Sequence, residues 1–120
     1  MPFKKYLAPL TEMVSGESGA ILVDGEGEVV DMVGRMERYR LQVTAAHCVI
    51  LCHQFRRLTA RLGGLELEEL RIGTDAFQVL VCPVDADYFL VFFHQRDPRN
   101  ADRARLAAGR VALALKKELY

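Results

Sequence analysis

The residues with the most chemistry in reach lie close together, as His47-Cys48 and Cys52-His53. Two thiols and two imidazoles are a donor set that tetrahedral zinc accepts. Helical spacing argues against such a site. Cys48 and Cys52 fall one turn apart on the same face, whereas His47 and His53 project about 120° from each other and away from the cysteine stripe, so one helix cannot gather all four around one ion. Cysteines on an apolar helix face read as small core residues, and no metal or other cofactor is implied. Ser15 and Ser18 stand in no Gly-x-Ser-x-Gly elbow, and His47, His53 and His94 carry no local nucleophile signature. Asp24, Glu26, Glu28 and Asp31 cluster in and after a glycine turn, as turn and solvent-face residues rather than an acid/base pair. Gly25-x-Gly27 lacks the third glycine and the following helix of a dinucleotide cradle. The chain therefore reads as non-enzymatic. Arg56, Arg57 and Arg61 remain as a basic patch, either a solvated face or a docking point for an acidic surface; Arg57 and Arg61 are the candidate partner-binding residues.

Composition sets the frame in which these residues must act. The chain has 120 residues, 51% hydrophobic and 27% charged, enough apolar material for one core and one domain over residues 1–120. Sixteen basic residues balance sixteen acidic ones, which removes the global field that nucleic acid or an anionic membrane surface would need. The opening Met1-Pro2-Phe3-Lys4-Lys5-Tyr6 leads into an apolar run too short for a signal peptide, and no stretch approaches the roughly 18 apolar residues of a membrane span. Cys48, Cys52 and Cys82 are an odd set without framework spacing, as expected of reduced thiols, so a cytoplasmic location is expected.

Periodicity and turn chemistry predict the elements. Phe3, Leu7, Leu10 and Val14 lie on one helical stripe, with Pro9 expected to kink the helix or to mark its start. Ala20–Val23 and Val29–Val33 flank Asp24-Gly25-Glu26-Gly27-Glu28 as a hairpin. From Arg38 to Leu62 there is neither Gly nor Pro, and Gly63-Gly64 then supplies a stop, so a long helix is predicted there. Strands follow at Leu67–Ile72, Phe77–Val84 and Tyr88–Phe93, and Asp97-Pro98 opens a last helix carrying Ala104, Ala108, Val111, Leu115 and Leu119 on one stripe.

The long helix is too apolar for a single buried face. Projected at about 100° per residue, Leu41, Ala45, Cys48, Val49, Leu51, Cys52, Phe55, Leu58 and Leu62 fill one broad arc, the expected sheet-facing side. Val43, Ala46 and Ile50 fall opposite, among His47, Gln54, Arg57 and Arg61, where a monomer's surface helix carries polar groups. The strand with Leu70 and Ile72 either side of Arg71 follows a loop and is expected at a sheet edge. Val43, Ala46, His47, Ile50, Leu70 and Ile72 are therefore the expected dimer interface.

Three segments resemble the Roadblock family, the group of dynein light chains and bacterial gliding-protein B. They are Gly19-Ala20-Ile21-Leu22-Val23-Asp24-Gly25-Glu26-Gly27-Glu28-Val29-Val30 as the opening hairpin, the long helix, and Val79-Leu80-Val81-Cys82-Pro83-Val84 with Asp85 to Phe93 as the closing hairpin. Pro9 departs from the family pattern. The resemblance implies a profilin-like α/β/α sandwich with a five-stranded antiparallel sheet in the order 2-1-5-4-3, the long helix on one face and the terminal helices on the other. It implies a homodimer in which long helices pack together and third strands meet, and a small Ras-like GTPase as partner. The function expected is a regulator or scaffold of that GTPase. The alternatives are a dimeric assembly adaptor without GTPase regulation and a small-molecule sensor.

Overall fold

The structure is a computed structural model that describes residues 3–120; Met1 and Pro2, the start of the segment tested as a leader, lie outside the described residues. Its elements run α1 (Lys4–Glu12), β1 (Ser18–Asp24), β2 (Val29–Gly34), α2 (Arg38–Arg61), β3 (Leu70–Gly73), β4 (Phe77–Pro83), β5 (Tyr88–Gln95) and α3 (Ala101–Leu119). Every strand pairing is antiparallel, and the sheet order is β2-β1-β5-β4-β3. The predicted order and layering are both observed.

Period-two alternation divides the sheet's side chains between two apolar clusters. Ile21, Val23, Val81, Phe89 and Val91 face α2, where Leu41, Ala45, Cys48, Val49 and Cys52 meet them. Ala20, Leu22, Leu80, Leu90 and Phe92 face the other way, under Leu7 and Leu10 of α1 and Ala104, Ala108 and Leu115 of α3. Small alanines on the buried side of α3 let that helix lie close to the sheet. The β1–β2 turn is fixed by Asp24, whose Oδ1 accepts from the amides of Glu26 and Glu28, and by Gly27 at φ +82°. Glu37 caps α2 by accepting from the amides of Tyr39 and Arg40.

Three local departures from expectation have a reason in the structure. The first helix runs unbroken through Pro9, which is exposed and whose own carbonyl accepts from Met13 N; the bond forfeited is the one Pro9 cannot donate to the exposed Lys5. The third strand begins at Leu70 rather than Leu67. Leu70 pairs with Val81, so extending that register would set Glu68 opposite Pro83, which has no N–H to give the ladder. The last helix begins at Ala101, because Asp97-Pro98 forms a separate turn in which Asp97 Oδ1 accepts from Arg99 N and its carbonyl from Asn100 N.

Candidate interaction surface

The orientation of α2 is set by contacts on both of its flanks. On one, His53 Nε2–H donates to the Gly25 carbonyl at 2.7 Å, and Ala46 lies so near Gly27 that a Cβ there would stand 3.3 Å from it. This flank is bound to the β1–β2 turn. On the other, the Arg40 guanidinium lies over the rings of Phe77 and Phe93 at 5.4 and 5.3 Å, which turns that flank toward β4 and its neighbour β3.

Between these flanks the sheet buries a narrow stripe, Leu41, Ala45, Cys48, Val49 and Cys52. The broad arc expected to face the sheet is therefore split. Leu51, Phe55, Leu58 and Leu62 are 36, 39, 49 and 60% exposed. They project on the β3-side flank, beyond the reach of a third strand only four residues long. Ile50, on the outer face, is 55% exposed. Beside them on β3, Ile72 is exposed and Leu70 half-buried, with Leu65 exposed in the connecting loop. The result is an apolar row on α2 next to a terminal strand.

The two ends of the sheet differ. On β2, Asp31 is paired across the strand with Leu22 and buried beneath α1, with Lys4 Nζ 3.7 Å from its carboxylate. An inward-pointing charge of this kind disfavours strand addition at that edge. β3 presents Leu70, Arg71 and Ile72 with no buried charge.

Of the predicted interface residues, Ile50, His47 and Ile72 are exposed, while Val43 and Leu70 are half-buried. Ala46 is half-buried against the β1–β2 turn, because Gly27 lets the turn backbone approach the helix. Arg57 and Arg61 are exposed. Arg56 does not belong with them: its guanidinium donates to the carbonyls of Asp85 and Ala86 at 2.8 and 2.9 Å and covers the Phe89 ring. It ties the end of α2 to the β4–β5 turn.

The residues with catalytic or metal-binding potential are dispersed into structural roles. Cys48 and Cys52 are buried in the core under α2, and Cys82 in the one beneath α3. Burial pushes the thiols of Cys48 and Cys82 up to about 11. His47 donates to its own helix at Val43 O, His53 to Gly25 O, and His94 is buried with Gln78. Ser18 Oγ accepts from Arg35. Among the described residues, no group of three or more His, Cys, Asp and Glu side chains gathers as a metal site. An open groove lies between the end of α2, the 62–69 loop and the β4–β5 turn, lined by Arg56, Leu65, Leu67, Asp85 and Lys116. Among the described residues, no helix is long and apolar enough to cross a membrane.

Sequence reasoning missed Leu51, Phe55, Leu58 and Leu62 as surface residues. The signal was the width of the arc: those nine residues span about half the helix circumference, whereas a sheet covers roughly 100° of it.

A five-stranded antiparallel sheet between one long helix and two shorter ones is a Roadblock-type sandwich. The chain belongs to the Roadblock/LC7 family, whose domain model matches residues 6–93. A Roadblock/LC7 domain from Streptomyces avermitilis superposes with a TM-score of 0.82 at 18% identity, over 97% of this chain and 96% of that one. MglB of Myxococcus xanthus gives 0.81 at 18% identity, over 99 and 98%. The gliding protein MglB of Thermus thermophilus gives 0.78 at 17%, over 98 and 90%. Comparison with curated proteins yields no match.

Proposed function

We propose that the chain is a non-enzymatic, homodimeric regulator or scaffold that binds a small Ras-like GTPase and modulates its nucleotide cycle or its location. The observation that carries the dimer is the apolar row of α2 beside the β3 edge, which carries no buried charge. Covering what is still exposed of one such side chain contributes about half of the roughly 1.5 to 3 kcal/mol that full burial gives, and two-fold symmetry uses each contact twice, against an association cost of about 4 to 15 kcal/mol. Ile50, Leu51, Phe55, Leu58 and Ile72 of both protomers together reach the range of that cost when all are covered. Val43, Ala46, His47 and Leu70 border the same surface, and joining third strands would continue the sheet from one protomer into the other.

The GTPase half of the reading rests on family membership, and the exposed Arg57 and Arg61 suit an acidic partner surface. Acceleration of hydrolysis would come from reshaping the partner's own active site, since Arg57 and Arg61 lie on a rigid helix rather than on a reaching loop. The test is direct: the purified chain is added to each small GTPase of its source, and GTP hydrolysis and nucleotide retention are followed. A change in either with a cognate GTPase is expected. Inertness toward all of them overturns the reading, and co-purification with non-GTPase partners alone would favour an assembly adaptor.

A further inference from the structure

The solvent side of α3 carries a second pattern that neither the sheet nor a dimer through α2 uses. Arg103, Leu106, Arg110, Leu113, Lys117 and Tyr120 are spaced by three, four, three, four and three residues, the two core positions of a heptad repeat. All six are exposed, with Leu106 at 55% and Leu113 at 66%. The core face of α3, Ala104, Ala108, Ala112 and Leu115, lies on the opposite side. The row runs about 26 Å along the helix. It alternates a cation with an apolar side chain throughout, and Tyr120 closes it by donating its hydroxyl to Asp85.

The charge on this face is out of proportion to the neutral chain. α3 holds five cations and two acids. Asp102 sits in the first turn, where the helix dipole favours it, and Glu118 accepts from Tyr6 of α1. Arg105 is paired with Glu69 at 3.5 Å, but Arg103, Arg110 and Lys117 join none of the ion pairs among the described residues. Gly109 flanks the row at mid-helix, where glycine costs about 1 kcal/mol relative to alanine. A Cβ at that position meets nothing within 4 Å, so packing inside this chain does not require glycine there. Its absence of side chain leaves room for a second backbone beside Leu106 and Leu113.

We infer that the outer face of α3 docks an acidic amphipathic helix of a partner protein, its apolar residues between Leu106 and Leu113 and its carboxylates on Arg103, Arg110 and Lys117. Charge complementarity selects this occupant. A second copy of the same row would set cations against cations, and the outer face of α2 brings Arg57 and Arg61, so neither surface of this chain fits. A bilayer is disfavoured because the apolar content is one residue wide and the broad apolar face of α3 is already spent on the sheet. The dimer through α2 leaves this face open, so a failure here does not bear on the GTPase reading.

The probe is a synthetic helical peptide with leucine at its heptad core positions and glutamate at the flanking ones, titrated into the full chain and followed by amide chemical shifts. Saturable binding is expected, with shifts concentrated from Arg103 to Lys117. Leu113→Asp and Arg110→Glu should each weaken it about tenfold or more while leaving the melting temperature in place, since both side chains are exposed. Raising ionic strength from about 0.1 M to about 1 M cuts the screening length from about 10 Å to about 3 Å and should weaken it further. A peptide with lysine in place of glutamate should not bind. The inference is overturned if the acidic peptide fails to bind, binds the two variants as tightly as the parent, or is matched by the lysine peptide. Adhesion to anionic phospholipid vesicles that Leu113→Asp abolishes would assign the face to a membrane and overturn it equally.

Discussion

Gln78 and His94 face each other across β4 and β5, the Gln78 amide donating to His94 Nε2 at 3.3 Å while His94 Nδ1–H donates to the Gln95 carbonyl. Both side chains are buried, and burial lowers the His94 pKa from its ordinary value, partly countered by the Gln95 carbonyl. The folded state therefore holds His94 neutral where the unfolded chain already takes up a proton. Stability contributed by the neutral ring is complete above the unfolded value near 6.5 and is lost as pH falls from there through the lower folded value. Urea midpoints should drop between pH about 7.5 and about 5, and the drop should shrink in His94→Phe. Equal slopes in parent and variant would remove His94 as the cause.

Arg35 is a structural tie for the α1–β1 connection. Its guanidinium donates to the carbonyls of Thr11, Val14 and Gly16 at 3.1, 2.8 and 2.7 Å and to Ser18 Oγ at 3.0 Å. The donors on Nε and Nη2 are spread across the guanidinium and reach four acceptors that a single ammonium cannot span, so Arg35→Ala should cost about 2 kcal/mol in urea unfolding and Arg35→Lys should recover little of it. Full recovery by lysine would show that charge, not the fork, matters.

The thiols should be silent in the folded protein. Cys48, Cys52 and Cys82 are all buried, and burial raises each pKa, to about 11 for Cys48 and Cys82. Since the thiolate is the nucleophile, Ellman's reagent should label the native chain only as fast as it opens and should label all three cysteines at once in denaturant. Rapid labelling of the native form would contradict their placement.

Element types were legible because each strand is an aliphatic run between turn residues and α2 is the one long stretch free of Gly and Pro; the sheet order was implied only by the resemblance to the Roadblock family. What escaped the sequence was tertiary. Nothing local reveals that Pro83 stands where Glu68 would pair, so the start of β3 was set too early. Nor does a helical projection reveal how much sheet lies underneath: Leu51, Phe55 and Leu58 look like core until β3 proves too short to cover them. Arg56 and Arg57 are adjacent in sequence, yet only the position of the β4–β5 turn decides that Arg56 is a tie and Arg57 is open.

The apolar row yields a test that separates its parts. Leu58→Asp and Ile50→Asp change exposed residues on the β3-side flank and on the outer face, so each variant should fold. Each substitution enters a two-fold interface twice, and each should weaken self-association by well over about tenfold. Sedimentation velocity should show a monomer in both cases. A monomer with Leu58→Asp and a dimer with Ile50→Asp would move the interface toward β3. An unchanged mass in both refutes the proposed surface.

Arg57 and Arg61 can be probed apart from the dimer. Both are exposed on the last turns of α2, beyond Ile50 and clear of the carbonyls that hold Arg56. Reversing both charges, Arg57→Glu with Arg61→Glu, should leave the dimer mass and the urea midpoint as they were. Charges at a rim act chiefly on encounter, so the double variant should bind the proposed GTPase partner with a lower association rate and a weaker salt dependence, and its dissociation rate should change less. Surface resonance at two ionic strengths reads all three quantities. An association rate indifferent to the reversal would take Arg57 and Arg61 out of the partner surface and leave the apolar row to carry recognition alone.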